Sequence, residues 1–275
     1  AGVANTGGGG GGAYVTQAGA DGGSGIVVLR YFGPALDNSA SAGDSITAGS
    51  GNTSGYTIHQ FTTTGSAGSI SLAAADPILS GVISGGSANS LTLNASGGRI
   101  TLSGANTYGG DTSISGGTVE LTGTLGNTGS GTGSYSGAIA NSGELTLNTA
   151  ATQTLGGVIS GNGTLEQAGG GTTILTANNT YAGSTTISGG VLQLGNGGTS
   201  GSLGSASTSV VNDAILRINR NNTLTIGQQI SGSGALQQQG TGTTILTGNN
   251  TYAGTTTIAS GSTLQLGAGG ASGSA

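Results

Sequence analysis

Three stretches of the chain align without gaps around a Thr-Tyr pair, and this internal repetition limits the fold more than any other feature. They are Leu102-Ser-Gly-Ala-Asn-Thr-Tyr108-Gly-Gly110, Leu175-Thr-Ala-Asn-Asn-Thr-Tyr181-Ala-Gly183 and Leu246-Thr-Gly-Asn-Asn-Thr-Tyr252-Ala-Gly254. The tyrosines are 73 and then 71 residues apart. Six residues after each comes an isoleucine: Ile114, Ile187 and Ile258. An alternating run follows: Val119-Glu120-Leu121, Leu192-Gln193-Leu194 and Leu264-Gln265-Leu266. Upstream, Ile-Ser-Gly begins at Ile83, Ile159 and Ile230.

Within each unit apolar residues alternate with Thr, Ser, Gln or Asn, as in Leu145-Thr-Leu147 and Leu224-Thr-Ile226. A period of two marks a strand with one buried face. The segments are short and separated by Gly-Gly, Ser-Gly, Asn-Gly and Asn-Asn, residues that turn a chain. A sandwich wants longer strands joined by hairpins around one closed core. Short strands in an unclosed period fit a solenoid, with turns stacked about 4.8 Å apart. Inward residues then form aliphatic stacks, and Thr, Gln and Asn face outward as polar ladders. At roughly 22 residues per turn, each unit makes about three turns. Residues 81–275 would give roughly nine turns and a rod about 40 Å long. On this reading Leu175, Ile187, Leu192, Leu194, Leu246, Ile258, Leu264 and Leu266 point inward.

Composition narrows the function. The 275 residues include 62 Gly, 2 Pro and no Cys, and charged residues are only 5%. Disulfides and thiolate metal sites are excluded. Four scattered arginines, Arg30, Arg99, Arg217 and Arg220, make no phosphate-binding surface, so nucleic acid is not an expected partner. The net charge of −5 has no acidic block behind it. The longest aliphatic run, Ile26-Val27-Val28-Leu29, is far short of the ~20 residues that span a bilayer, so no membrane insertion is expected. Low charge suits stacked turns, because like charges in register repel.

The units Gly169–Gly195 and Gly240–Gly267 resemble the passenger-associated repeat of autotransporters, the "autotransporter-associated β-strand" motif of Gram-negative surface proteins. Residues 98–123 form a weaker third copy. The shared pattern is Leu-Thr-x-x-Asn-Thr-Tyr, then Ile, then apolar-x-Leu. The resemblance implies an all-β, right-handed parallel β-helix exported to the bacterial outer-membrane surface or beyond, often adhesive or fibre-forming. It carries over no catalytic residue and no cofactor.

The N-terminal part differs. Gly7–Gly12 has large chain entropy to lose and reads as a linker or as extended glycine packing. Residues 1–61, with Ile26–Phe32 and Tyr56–Phe61 as ordinary strands, are similar in a weaker way to Gly-rich modules of bacterial surface and phage tail proteins. The expected organisation is a Gly-rich segment or cap over 1–35, a transitional β segment over 36–80 and a β-helix over 81–275. A cap would cover strand edges that otherwise invite aggregation.

Candidate chemistry is sparse. Glycan-active β-helices need an acid cluster, often with a base or Ca²⁺. The nearest set is Asp213, Arg217 and Arg220, which the spacing assigns to a surface ion pair. Asp21-Gly-Gly-Ser-Gly lacks the tandem that a calcium repeat needs. His59 has no visible Ser or Asp partner. The tyrosines cap a turn or the core edge, and Asn178-Asn179 and Asn249-Asn250 make an asparagine turn and ladder. Asn-x-Ser/Thr sites at Asn52, Asn94, Asn162, Asn178, Asn221 and Asn249 matter only in a glycosylating host.

The expected function is a non-catalytic structural or adhesive rod segment of a secreted bacterial surface protein, without catalytic, metal or cofactor residues. Expected partners are neighbouring turns of a longer chain, further copies in an extracellular fibre, or a host or surface glycan. The alternatives are a glycan-active β-helix enzyme and a Thr ladder that binds ice or polysaccharide, hinted at by Thr172-Thr173, Thr185-Thr186 and Thr255-Thr256-Thr257.

Overall fold

A computed structural model describes residues 27–32, 45–48, 56–61, 68–71, 76, 78–84, 90–126, 131–205 and 208–267. All of its regular elements are strands. Val27–Phe32, Ser45–Ala48 and Tyr56–Phe61 form an antiparallel sheet with Tyr56–Phe61 in the centre. From Gly68 onward every strand pairing is parallel, in a β-solenoid of about 9 turns. The Gly7–Gly12 run lies outside the described residues.

Each turn lays short segments on three faces. Face A is the seven-stranded sheet from Gly133–Tyr135 through Thr152–Leu155, Thr172–Leu175, Val191–Leu194, Ile215–Ile218 and Ala235–Gln238 to Thr256–Ile258. Face B stacks Glu144–Leu147, Thr164–Gln167, Thr185–Ile187, Ser209–Asn212 and Gln229–Ser231. Face C carries Ile139–Asn141 and Ile159–Ser160, and further along Leu224–Ile226, Thr243–Leu246 and Thr263–Leu266. The long strands Leu91–Leu102 and Thr112–Leu121 run round a corner and serve two faces each.

Alternation puts the aliphatic residues in vertical stacks. Leu155, Leu175, Leu194 and Ile218 are in register on successive turns and no more than 1% exposed. Burying such a side chain is worth about 1.5–3 kcal/mol. Leu175, Ile187, Leu192, Leu194 and Leu246 point inward as expected. Ile258 and Leu266 do not end up buried: they are 49% and 50% exposed. They occupy inward register positions opposite Gln238 and Leu246, but belong to the last described turn, on which no further turn is stacked. Leu264 is partly buried against the core.

The outward ladder of glutamines is also corrected. Gln193 is 6% exposed, and Gln167 and Gln238 are at inward positions with 0% and 1%. Each sits where its strand ends, and its amide folds over the corner to donate to a glycine carbonyl two residues on: Gly195, Gly169 and Gly240. A corner leaves a carbonyl without a ladder partner, and the adjacent carboxamide satisfies it.

Successive repeats do not stack on themselves. The closing strand of the first lies on face B, paired with Glu144–Leu147. That of the second, Val191–Leu194, lies on face A, and that of the third, Thr263–Leu266, on face C. The opening strands step round in the same order. A unit is therefore three turns plus one further face, not three turns. Turn length explains the remainder. Thr172 to Val191 is 19 residues and Ile215 to Ala235 is 20, whereas Val191 to Ile215 is 24 and Thr118 to Glu144 is 26. The lengthened turn follows the closing strand of a repeat each time.

This precession breaks up the threonine ladder. Thr172-Thr173 and Thr256-Thr257 are on face A, but Thr185-Thr186 is on face B. The column through Thr172 continues as Val191, Ile215 and Ala235. No rank of threonines from the three repeats forms on one side.

Candidate functional site

The most elaborate arrangement of polar groups is the loop that opens each Asn-Thr-Tyr motif. In the second repeat the Ile159 N–H donates to Asn179 Oδ1 (2.8 Å), while Asn179 Nδ2 donates to the Ser202 carbonyl (2.7 Å). The Thr180 N–H returns to the Ile159 carbonyl (2.9 Å). In the first repeat the Ile83 N–H donates to Asn106 Oδ1 (2.9 Å) and Thr107 N–H to the Ile83 carbonyl (2.8 Å). In the third the Ile230 N–H donates to Asn250 Oδ1 (2.9 Å) and Thr251 N–H to the Ile230 carbonyl (2.8 Å). The asparagines are at most 7% exposed. Each Asn-Thr pair thus grips both backbone groups of the Ile-Ser-Gly isoleucine one turn earlier. The turn-and-ladder reading of the asparagines holds for the second of each pair. Its partner was not recognised from sequence, although the fixed spacing of Ile-Ser-Gly from the tyrosine carried the signal.

The tyrosines close the same loop. Tyr108, Tyr181 and Tyr252 share hydrogen bonds with Thr112, Thr185 and Thr256, at 2.8, 2.7 and 2.8 Å. Tyr135 joins the first pair, 2.7 Å from Thr112 and edge-on to Tyr108 at 5.4 Å. Two residues beyond Tyr181 and Tyr252, Gly183 and Gly254 run against the preceding turn: a Cβ there would meet the Gly163 and Gly234 carbonyls at 2.1 and 2.0 Å. Burial raises the phenol pKa of Tyr108 and Tyr181, and pushes that of Tyr135 up to about 12. Groups with raised folded pKa stabilise fully below their unfolded value and lose that contribution as pH rises through the folded one. These three rings are therefore expected to ionise only together with alkaline unfolding. Tyrosinate absorbance and β-sheet circular dichroism, compared between wild type and the Tyr→Phe variant at each position, check this. Ionisation of Tyr181 with the sheet signal intact would contradict it.

The other sequence candidates separate. Asp213 and Arg217 do not pair. Asp213 Oδ1 accepts from the Ser233 N–H (2.9 Å) and hydroxyl (3.1 Å), and Arg217 Nε donates to Gln237 Oε1 (3.0 Å). Their even spacing misleads because Asp213 precedes the strand Ile215–Ile218. Arg220, expected at the surface, is 6% exposed, and burial lowers its pKa. Among the described residues an ion pair joins Arg99 to Glu120 (2.9 Å), and Asn148 donates to the same carboxylate (2.7 Å). The Asn148 bond first, and then Arg99, hold the Glu120 pKa below its ordinary value against the opposing effect of burial. His59 lies in the strand Tyr56–Phe61, with Leu29 and Ile46 as backbone partners. Asp21 lies outside the described residues. No group of three or more His, Cys, Asp or Glu suited to a metal occurs among the described residues.

The family model of the passenger-associated-transport repeat matches residues 95–121, 165–194 and 236–266. The chain carries three autotransporter passenger repeats. Over 80 residues it is 45% identical to the "Adhesin BmaC autotransporter" of Brucella suis biovar 1 (strain 1330). That match covers 29% of this chain and 2% of the relative, so the chain spans a small part of the relative's length. No solved structure matches. Each passenger repeat coincides with one opening strand, one Asn-Ile grip, one Tyr-Thr pair and one closing strand, so the repeat is a device for fastening a turn to the one before.

Proposed function

We propose that this chain is a length of non-catalytic, adhesive rod in a secreted protein held at a bacterial outer surface, and that such rods join end to end into a fibre. The observation that carries the reading is that the matched repeats supply turn-to-turn fastening throughout the solenoid. The relative's name as an adhesin supports the adhesive half. The fibre half is supported by the last described turn. Its strands Thr256–Ile258 and Thr263–Leu266 each have a partner on one side only, and Ile258 and Leu266 are half exposed. Thr263-Leu-Gln-Leu266 carries no charge or proline to blunt a strand edge.

Displayed on a non-adherent bacterium, residues 1–275 are expected to increase attachment to host cells, and the double variant Asp213→Asn, Arg217→Gln to attach equally well. No gain over the undecorated strain would sink the adhesive reading. In solution the chain is expected to associate with rising concentration, and Thr263→Lys with Gln265→Lys to suppress association while the upstream turns keep their sheet signal. A wild type that sediments as a monomer at high concentration, with its terminal turn ordered and uncovered, rejects the fibre.

A further inference from the structure

The lengthened turn after the second repeat forms a loop, Gly195 to Gly204, with residues 196–200 all exposed. It is held with unusual care. Arg220, from the next turn, crosses beneath it and donates from Nη1 to the Gly201 carbonyl (2.9 Å), from Nη2 to the Thr199 carbonyl and from Nε to Asn222 Oδ1 (3.0 Å). Asn222 Nδ2 also donates to Thr199 (3.2 Å). Gly195 is required at the crossing: its φ is +78°, and a Cβ would meet Arg220 Cγ at 2.6 Å. A buried guanidinium satisfied by carbonyls, with no carboxylate bonded to it, is a costly way to order a surface loop. Its return is a loop fixed before any partner arrives, which removes ordering entropy from binding.

Beside the loop, face C has a notch of about 130 Å³ where Leu224–Ile226 begins a new sheet below the irregular segment 202–205. Ser202, Leu203, Leu224, Thr225, Ile226 and Gln228 line it. The lining is mixed: aliphatic at the base, with hydroxyl and amide groups around it, and no charged side chain. Gln228 Nε2 is committed to the Gly204 and Ser205 carbonyls (3.1 and 3.0 Å), and Thr225 is exposed.

We propose that the loop and notch together form a recognition site for the neutral, hydroxyl-rich end of a glycan, with Arg220 as the residue that positions the loop. This rests on the adhesive reading and names its ligand class. A neutral ligand is favoured because Arg220 already spends its donors on loop carbonyls, so an anion finds no open charge. Apolar patches with scattered hydrogen-bonding groups suit a sugar ring. The sequence repeats the loop as Leu194-Gly-Asn-Gly-Gly-Thr-Ser-Gly-Ser202 and Leu266-Gly-Ala-Gly-Gly-Ala-Ser-Gly-Ser274. Since repeats advance one face at a time, copies of the loop leave a rod on different sides. That display gains avidity from a coat of separate glycan ends and little from a flat lattice.

The test is binding of the full 275-residue chain to immobilised lactose-terminated and sialylated oligosaccharides. Wild type is expected to favour the neutral series. Arg220→Met, which frees the loop, and Thr225→Trp, which fills the notch from an exposed position, are each expected to weaken binding at least about tenfold. Val158→Ser, at a 40% exposed aliphatic outside the notch, is the control and binds as wild type. Unchanged binding by Thr225→Trp, whose fold is checked by circular dichroism, overturns the site, as does preference for the sialylated series. Cell attachment without any binding to neutral glycans rejects this site and leaves the rod intact; loss of cell attachment by wild type itself rejects the rod.

Discussion

Leu194→Asp is expected to cost about 5 kcal/mol or more and to melt the middle of the solenoid near room temperature. Leu194 is 0% exposed, in register between Leu175 and Ile218 on face A. Truncating a leucine in such a place already costs about 2.7–5 kcal/mol through lost transfer energy and cavity. The carboxylate adds an unpaired charge in an aliphatic stack. Burial raises its pKa, so the destabilisation is greatest above that value and eases as pH falls through it. Leu194→Met keeps the volume and should cost less than about 1.5 kcal/mol. Because each turn contacts only its neighbours, the damage should spread outward from 172–238 and leave distant turns protected longer. Thermal melts and hydrogen exchange read both effects. An unchanged melting temperature for Leu194→Asp would mean that residue 194 does not face the interior.

The alternation that places Leu194 was fully legible: Leu192-Gln-Leu and Leu145-Thr-Leu can bury one face only as strands, and the repeats made those strands a solenoid. Three things were not legible, for identifiable reasons. Alternation assigned Gln193 to solvent, because period two describes a strand interior and Gln193 stands at a corner. It assigned Asp213 to the face of Arg217, because it does not mark where Ile215–Ile218 begins. It also suggested a whole number of turns per unit, because an average of roughly 22 residues conceals turns of 19 and 26. The Arg220 loop was invisible for a related reason. Its contacts are to backbone carbonyls at Thr199 and Gly201, and carbonyls have no sequence signature. The grip between Asn179 and Ile159 was half legible. Both motifs stood out and kept their distance, but nothing in either names the other as partner.

That grip makes the second large prediction. Asn179→Ala is expected to cost about 2–5 kcal/mol, while Asn178→Ala costs under about 1. The two residues are neighbours of one type, so composition and propensity cannot separate them. Asn178 is exposed, and its Oδ1 accepts only a 3.2 Å bond from the Gly201 N–H. Asn179 is 7% exposed and bonds the turn before through Ile159 and the turn after through Ser202. Removing its carboxamide leaves a buried N–H and a second-turn carbonyl without their partner, each worth about 1–3 kcal/mol when unsatisfied. Asn179→Asp separates the two contacts. The carboxylate can still accept from Ile159 but can no longer donate to Ser202, and it faces that carbonyl with a negative charge. Its defect should therefore shrink at low pH, where a protonated Asp regains a donor, whereas the Asn179→Ala defect should not depend on pH. Denaturant melts of the three variants at neutral and acidic pH decide it. Equal losses at 178 and 179 would show that the repeat's paired asparagines merely favour a turn and do not fasten one turn to the next.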